Sequence, residues 1–259
     1  MRQWLEVYCL FAMLFFSCSK IDESERFIYV EPSDVARAVL IEDFTGQRCI
    51  NCPTASEEIV RLQKEYGEEN VIAVAIHSGP LAVYPTTKVN GLRTELGDIY
   101  FDYWNIESEP SALIDRRRGI SLVPQWAGLV HEDIQLQASV DMSLECRLTK
   151  SYEVDVTVHS LALKNDFRGK LQLWLIEDGI LAPQMMPDGS MNNDYVHNHV
   201  LRSAINGTWG EDVNWKTGTD NVLSFSFRPE EGWSIDNLSI VAFVYDDGGV
   251  QQVVKSKLK

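Results

Sequence analysis

The sequence predicts two folded segments of different class, an α/β domain over residues 37–138 and an all-β sandwich over residues 139–259. Residues 37–76 carry the signals of a strand, a helix and a second strand, which is the pattern of a βαβ unit. From residue 139 onward, apolar side chains alternate with polar ones and no helical run intervenes. This change in hydrophobic period places the boundary near residue 138.

The βαβ unit is predicted from local signals. Residues 37–44 form an apolar run suited to a buried strand, and residues 45–48 interrupt it. Pro53 fits the first turn of a helix because that turn needs no N–H group from it. Gly67 marks the end of the helix, and residues 71–76 form the second strand. Later elements are a long loop with some helix, a short strand headed by a proline, and a final helix, over residues 78–97, 108–115 and 125–137.

The second segment is predicted from strict alternation. Its first strand has apolar side chains at every second position, Val140, Met142, Leu144, Cys146 and Leu148. Similar runs predict further strands near residues 152–158, 171–176, 223–227, 238–245 and 250–254. The sequence Asp246-Asp247-Gly248-Gly249 predicts the hairpin turn before the last of them. Cys146 lies on the apolar side of its strand, so we expect a buried, inert thiol.

The composition is that of a globular protein. Hydrophobic residues make up 45% and charged residues 24% of the 259 residues. The formal net charge is −15, which repels phosphate backbones and anionic lipid headgroups. Nucleic acid is therefore excluded as a partner. The simplest role of the negative charge is to keep the protein soluble, and it does not identify a substrate.

An apolar run at the N-terminus predicts export. Residues 8–16 are too short to span a bilayer as a helix and fit the hydrophobic part of a signal peptide. The following Ser17-Cys18 completes a pattern that resembles a bacterial lipobox. On that resemblance, residues 1–17 are a signal peptide, Cys18 is the lipidated N-terminus, and residues 18–36 are a tether. An ordinary cleavable signal peptide is the alternative.

Cys49 and Cys52 are the candidate reactive pair. They open the predicted helix, whose electropositive N-terminus favours a thiolate on Cys49, and Cys52 lies where it resolves a mixed disulfide. Half of a zinc site has the same spacing. The other close ligand pair in the chain is His197-x-His199, for which a packed loop is the alternative.

The surroundings of the pair resemble the thioredoxin family over residues 37–137. There, an apolar strand containing Asp-Phe precedes the cysteines at the distance seen for Asp43-Phe44 and Cys49. The resemblance implies that Asp43 is a buried carboxylate assisting proton transfer at Cys52. Ser108-Glu109-Pro110-Ser111 resembles the cis-proline loop of that family, which implies that Pro110 shapes the substrate groove. Arg48, Ile50 and Asn51 depart from the family pattern, so the direction of redox chemistry does not follow.

A second resemblance covers more of the chain. Residues 42–53, 195–202 and 206–210 resemble the outer-membrane-protein-28-related family of Bacteroidetes. The resemblance implies an outer-membrane address, on the periplasmic or the surface side, and a thioredoxin-like domain followed by a β-sandwich. We expect this sandwich to be immunoglobulin-like.

Two functions are left open. The preferred one is an outer-membrane lipoprotein with a redox-capable thioredoxin-like domain and a sandwich that binds a protein or glycan partner. The alternative is an active envelope thiol–disulfide oxidoreductase with Cys49 as nucleophile and Cys52 as resolving thiol. No cofactor and no metal are expected. His77 is a further candidate site residue because it ends the second strand. Three tryptophans belong either to the core and its rim or to a binding surface: Trp209, Trp215 and Trp233.

Overall fold

The computed structural model describes residues 35–258. The predicted signal peptide, the lipidation site Cys18 and all but the last two residues of the predicted tether lie outside the described residues.

Within residues 35–258 the chain forms fourteen strands and three α-helices. The helices are α1 (Cys52–Tyr66), α2 (Glu95–Tyr103) and α3 (Val123–Ile134). The strands are β1 (Val39–Thr45), β2 (Val71–His77), β3 (Ser111–Ile114), β4 (Ile120–Ser121), β5 (Val140–Leu148), β6 (Val154–Ala162), β7 (Phe167–Glu177), β8 (Ile180–Met185), β9 (Met191–His197), β10 (Val200–Ala204), β11 (Glu211–Trp215), β12 (Asp220–Phe227), β13 (Leu238–Asp246) and β14 (Gly249–Lys257).

A mixed sheet of nine strands organises this part of the chain. Eight strands follow the order β14-β13-β7-β10-β2-β1-β3-β4, and β11 also pairs with β7. Strands β1 and β2 are parallel from Val39↔Val71 to Thr45↔His77. Strand β10 joins them through a single parallel pair, Val200↔Ala75. The other described strands form a three-stranded sheet, β12-β6-β5, and a two-stranded hairpin, β8-β9.

The predicted fold class, an α/β thioredoxin-like domain followed by an immunoglobulin-like sandwich, is wrong. The structure is mostly β, with 44% strand and 17% helix. Strands β7, β10, β13 and β14 of the expected sandwich continue the sheet that begins with β1 and β2. The sequence signal was misleading because β7 is buried at every position from residue 171 to 177 and β13 from 238 to 244. Such runs belong to strands covered on both faces rather than to the half-exposed strands of a sandwich. The division near residue 138 stays a prediction.

Strand β1 lies between β2 and β3 and is buried on both faces. Its residues Val39 and Ile41 pack with side chains from α1 and α3. Leu40 and Phe44 point to the opposite face and pack in a second cluster that includes residues of β7 and β13. A third cluster fills the space between the β12-β6-β5 sheet and the inner part of the large sheet. Because alternate side chains point to opposite faces, Glu42 and Asp43 face different clusters.

Two buried ion pairs tie the chain segments together. Glu42 accepts a bidentate contact from Arg116, with N···O distances of 2.6 and 2.9 Å, and the side chains of both residues are almost fully buried. Arg37 pairs with buried Asp115 and also donates to the carbonyl oxygen of Val250. The burial of Arg116 was not predicted, because a run of three arginines carries no local signal of burial.

The Glu42–Arg116 pair is expected to be critical for stability. Glu42→Gln leaves the buried guanidinium of Arg116 without a counter-charge, and removal of one partner of a buried pair costs about 3–5 kcal/mol. Glu65→Gln is the matched control, since Glu65 pairs with Arg61 on the exposed face of α1 and such pairs contribute about 0–1 kcal/mol. Urea unfolding followed by circular dichroism measures both. Equal losses in the two variants would contradict the assignment.

Candidate functional site

Cys49 and Cys52 form a disulfide at the junction of β1 and α1. The loop after β1 is closed by a hydrogen bond from Cys49 N to Gly46 O, 3.0 Å. Glycine is required at position 46 because a Cβ atom there would lie 2.5 Å from the backbone carbon of Leu81. Helix α1 begins at Cys52 with Pro53 in its first turn. Both cysteines are 2% exposed, whereas the side chains of Arg48 and Ile50 in the same loop are exposed.

Asp43 lies on the α1 face of β1 and lines the same cavity as Cys52. It is 1% exposed, and its Oδ1 atom has no hydrogen-bond partner among the described residues. Burial raises the pKa of Asp43 to about 7. A carboxyl group with this pKa exchanges its proton near neutral pH, which is the property required of a proton acceptor beside a thiol.

Pro110 lies at the same end of the sheet. Phe44 near the end of β1 pairs with Ser111 at the start of β3, so the preceding Pro110 lies beside the point where the cysteine loop begins. The peptide bond between Glu109 and Pro110 is cis. The carboxyl oxygens of Glu109 have no hydrogen-bond partner in the described structure. Burial raises the pKa of Glu109 to about 8, and the nearby charge of Asp43 makes a smaller contribution in the same direction. Sequence reasoning missed Glu109 as a titratable neighbour of Asp43.

Three histidines complete the cavity, which has a volume of about 440 Å³. His77 at the end of β2 and His197 at the end of β9 have ring centroids 5.2 Å apart. Burial, with a smaller contribution from His197, holds the pKa of His77 well below its ordinary value. Burial lowers the pKa of His197 to about 4. His199 contacts Asp178 with an Nδ1–Oδ1 distance of 3.0 Å. The cavity therefore contains the neutral imidazoles of His77 and His197 beside the carboxyl group of Asp43, which titrates near neutrality.

The described residues contain no cluster of three or more His, Cys, Asp or Glu side chains that is arranged to hold a metal ion. His197 and His199 do not share one strand face, since β9 ends at His197 and His199 has a positive φ of 59°. Cys146 is a free, half-buried thiol on β5, and burial raises its pKa.

The β8-β9 hairpin contacts the cysteine loop through hydrogen bonds. Gln184 Nε2 donates to Cys49 O at 2.9 Å, and Met185 N donates to Gln47 O at 2.8 Å. In return, the buried side chain of Gln47 donates to Pro183 O at 3.1 Å and accepts from Leu92 N at 2.9 Å. These contacts were not predicted, because they join residues more than 40 positions apart and carry no local sequence signal.

No helix in the part of the chain that the structure describes is long and apolar enough to cross a bilayer. Comparison with known proteins identifies the family of this chain. Residues 97–259 match the model of the family described as outer membrane protein Omp28. No curated protein matches this chain.

Two solved structures from Porphyromonas gingivalis are similar to this chain. HBP35 matches with 16% identity and a TM-score of 0.65, over 86% of this chain and 76% of its own, which at that identity shows the fold alone. A domain of the outer membrane lipoprotein Omp28 matches with 30% identity and a TM-score of 0.34, over 47% of this chain and 89% of its own.

The family match begins at residue 97, so it includes the β8-β9 hairpin and excludes Cys49 and Cys52. Because the family match covers well over half of the sequence, this chain belongs to the Omp28 family of outer membrane proteins, and the outer membrane is its location.

Proposed function

We propose that this outer membrane protein carries out thiol–disulfide exchange through Cys49 and Cys52. The observation that carries the proposal is the buried carboxyl of Asp43, whose Oδ1 atom has no hydrogen-bond partner among the described residues, in the cavity that Cys52 also lines. Burying a carboxyl group without a partner costs free energy. A static disulfide has no need of such a group, whereas proton transfer to and from a thiol does. Asp43 therefore favours exchange over a purely structural pair.

The exchange proceeds in two reversible displacements. The Cys49 thiolate attacks one sulfur of a substrate disulfide, forms a mixed disulfide and expels the other sulfur as a thiolate. The Cys52 thiolate then attacks the Cys49 sulfur, which releases the second substrate thiolate and re-forms the Cys49–Cys52 disulfide. Two electrons pass from the protein dithiol to the substrate disulfide, and the proton of the Cys52 thiol passes to the Asp43 carboxylate.

The local electrostatics suit this assignment of roles. Cys49 precedes the N-terminus of α1, where the helix dipole stabilises a thiolate. Asp43 lines the same cavity as Cys52 and has a pKa of about 7, so it accepts and returns a proton near neutral pH. Pro110 lies beside the cysteine loop and is the proposed wall of the substrate groove. The exposed side chains of Arg48 and Ile50 mark the side from which a substrate approaches, since the hairpin holds the loop at Gln47 and Cys49.

We further propose that Cys18 anchors the chain to the outer membrane through acyl chains. The proposal is supported by the apolar run that ends in Ser17-Cys18 and by membership of an outer membrane family. One acyl chain gives only marginal membrane binding, so stable attachment needs more than one chain or a second signal.

Exchange is tested with reduced protein and glutathione disulfide. The parent is expected to form its internal disulfide, and Cys52→Ser is expected to stop at an adduct of glutathione with Cys49, because the resolving thiol is missing. Cys49→Ser is expected to form no internal disulfide and little adduct. Mass spectrometry of alkylated protein measures each species. Cys146→Ser, which removes the free thiol on β5, is the control and should behave as the parent.

Two results would contradict the exchange proposal. One is a Cys49→Ser variant that exchanges as fast as the parent. The other is a reduction potential of the Cys49–Cys52 pair far below the roughly −270 mV of thioredoxin, which is the behaviour of a static disulfide.

Asp43→Asn is expected to raise stability while slowing exchange. In the folded protein burial raises the pKa of Asp43 to about 7, so between the unfolded pKa, roughly 4, and pH 7 the folded state holds a proton that the unfolded state has lost. The parent therefore loses stability as pH rises through this window, and the neutral Asn variant does not. At pH 8 the variant should be more stable by up to about 4 kcal/mol, since a tenfold change in proton affinity is about 1.4 kcal/mol.

Urea unfolding at pH 4 and pH 8 measures the stability difference, which should nearly vanish at the lower pH. The rate of disulfide formation by glutathione disulfide, measured over the same range, should fall in the variant above pH 7. A stability gain with an unchanged rate would remove Asp43 from the exchange mechanism.

Lipid attachment is tested by phase partition in a detergent that separates on warming. The parent is expected in the detergent phase and Cys18→Ser in the aqueous phase, because the variant lacks the acylated sulfur. Cys9→Ser is the matched control, since Cys9 lies in the predicted signal peptide. If Cys18→Ser still partitions into detergent, Cys18 is not the anchor.

A further inference from the structure

A second cavity, of about 840 Å³, opens beside the Arg116 end of the large sheet. It is bordered by the end of α2, by β11 and by the turn between β13 and β14. It shares no lining residue with the cavity that Asp43 and Cys52 line. Its volume lies within the range of about 300–1,000 Å³ usual for small-molecule sites. Thiol–disulfide exchange makes no use of it.

Aromatic side chains form one wall of this cavity. The Tyr103 ring centroid lies 4.3 Å from that of Trp209 and 5.0 Å from that of Trp104. Tyr245 closes the wall and donates its hydroxyl proton to Trp209 O at 2.7 Å. Core packing accounts for the inner members of this aromatic cluster. It does not account for Tyr103, which is 64% exposed at the cavity edge.

The charges of the cavity argue against an ionic ligand. Arg116 lies at its base, with the guanidinium carbon 4.7 Å from the ring centroid of Tyr245 and 5.7 Å from that of Trp104. The cation–π position on these rings is therefore occupied by a residue of the chain itself, which would repel a second cation. Glu42 neutralises Arg116, and Asp212 neutralises Lys170 at an N–O distance of 2.8 Å. The remaining charged lining residues are the cation Arg168 and the carboxylates Asp246 and Asp247, so neither sign of charge prevails in the cavity.

Hydrogen-bond donors and acceptors also line the cavity. Asp212 and Asn214 are exposed on the same side of β11, with buried Val213 between them. Asp246 and Asp247 lie in the turn after β13 and also line the cavity. Carboxylates accept hydrogen bonds, and the Asn214 amide both donates and accepts them. A fitting ligand therefore combines apolar faces with uncharged groups that donate and accept hydrogen bonds.

We propose that this cavity is a binding site for a neutral saccharide. A pyranose ring presents an apolar C–H face that stacks on Tyr103 and Trp209, and its hydroxyl groups reach Asp212 and Asn214. The inference is independent of the exchange activity, because no cysteine, Asp43 or Pro110 lines this cavity.

The test is isothermal titration of the full chain with four neutral hexaoses: cellohexaose, maltohexaose, mannohexaose and chitohexaose. At least one is expected to bind with a Kd of millimolar or tighter. Tyr103→Ala is expected to weaken that binding by about tenfold, because it removes one exposed stacking partner. Asn214→Ala is expected to weaken it as well. Tyr152→Ala is the matched control, because Tyr152 is an exposed tyrosine, 67% accessible, that does not line the cavity.

Tyr103 and Asn214 are exposed at the cavity edge, so both variants are expected to keep the circular dichroism spectrum of the parent. Absence of binding by all four hexaoses at millimolar concentration would overturn the proposal. So would binding that Tyr103→Ala and Asn214→Ala leave unchanged. Preference for tetramethylammonium or for a sulfated oligosaccharide over the neutral probes would assign the cavity to a charged ligand instead.

Discussion

Strand β1 is the constraint on which the rest of this structure depends. It lies inside the large sheet, between β2 and β3, and every one of its residues is buried. Two consecutive acidic residues at its centre must therefore point in opposite directions into the protein. Glu42 faces the aromatic cluster and is paired with Arg116, while Asp43 faces α1 and the disulfide. One strand thus supplies the counter-charge of the arginine at the base of one cavity and the titrating group of the other.

The two carboxyl groups show how the surroundings decide whether the cost of burial is compensated. Glu42 is as buried as Asp43, yet the bidentate contact with Arg116 offsets the cost of removing its charge from water. Asp43 has no such partner, and burial therefore raises its pKa to about 7. The group that carries a structural role is the compensated one. The group proposed for chemistry is the one whose burial is uncompensated, as expected of functional sites.

The sequence predicted the local elements around the cysteines better than the fold. The apolar run before Cys49, Pro53 in the first helical turn and the apolar run from Val71 correspond to β1, α1 and β2, because each is specified by neighbouring residues. The continuity of the sheet rests on Val200↔Ala75, a single pair between residues 125 positions apart. Periodicity cannot show such a pair. It showed alternation throughout the second segment, where β7 and β13 are in fact covered on both faces.

The candidate site was predictable to the same extent. Asp43, Cys49, Cys52 and Pro110 were proposed from the sequence because a local motif surrounds each of them. Gln184 and His197 come to the site on the β8-β9 hairpin, more than 130 residues after Cys49. Glu109 was passed over because its raised pKa arises from tertiary burial and from Asp43, and neither is visible in the surrounding residues.

The hairpin contacts determine how far a redox change can spread. The carbonyl groups of Gln47 and Cys49 are bonded to Met185 N and Gln184 Nε2, and the side chain of Gln47 is bonded to a second segment at Leu92. These bonds hold the loop backbone without any contribution from the sulfur–sulfur bond. We therefore expect the loop backbone to keep its position when the disulfide opens. A pair held in this way suits the proposed exchange, because hydrogen bonds independent of the sulfur–sulfur bond fix the backbone of its loop.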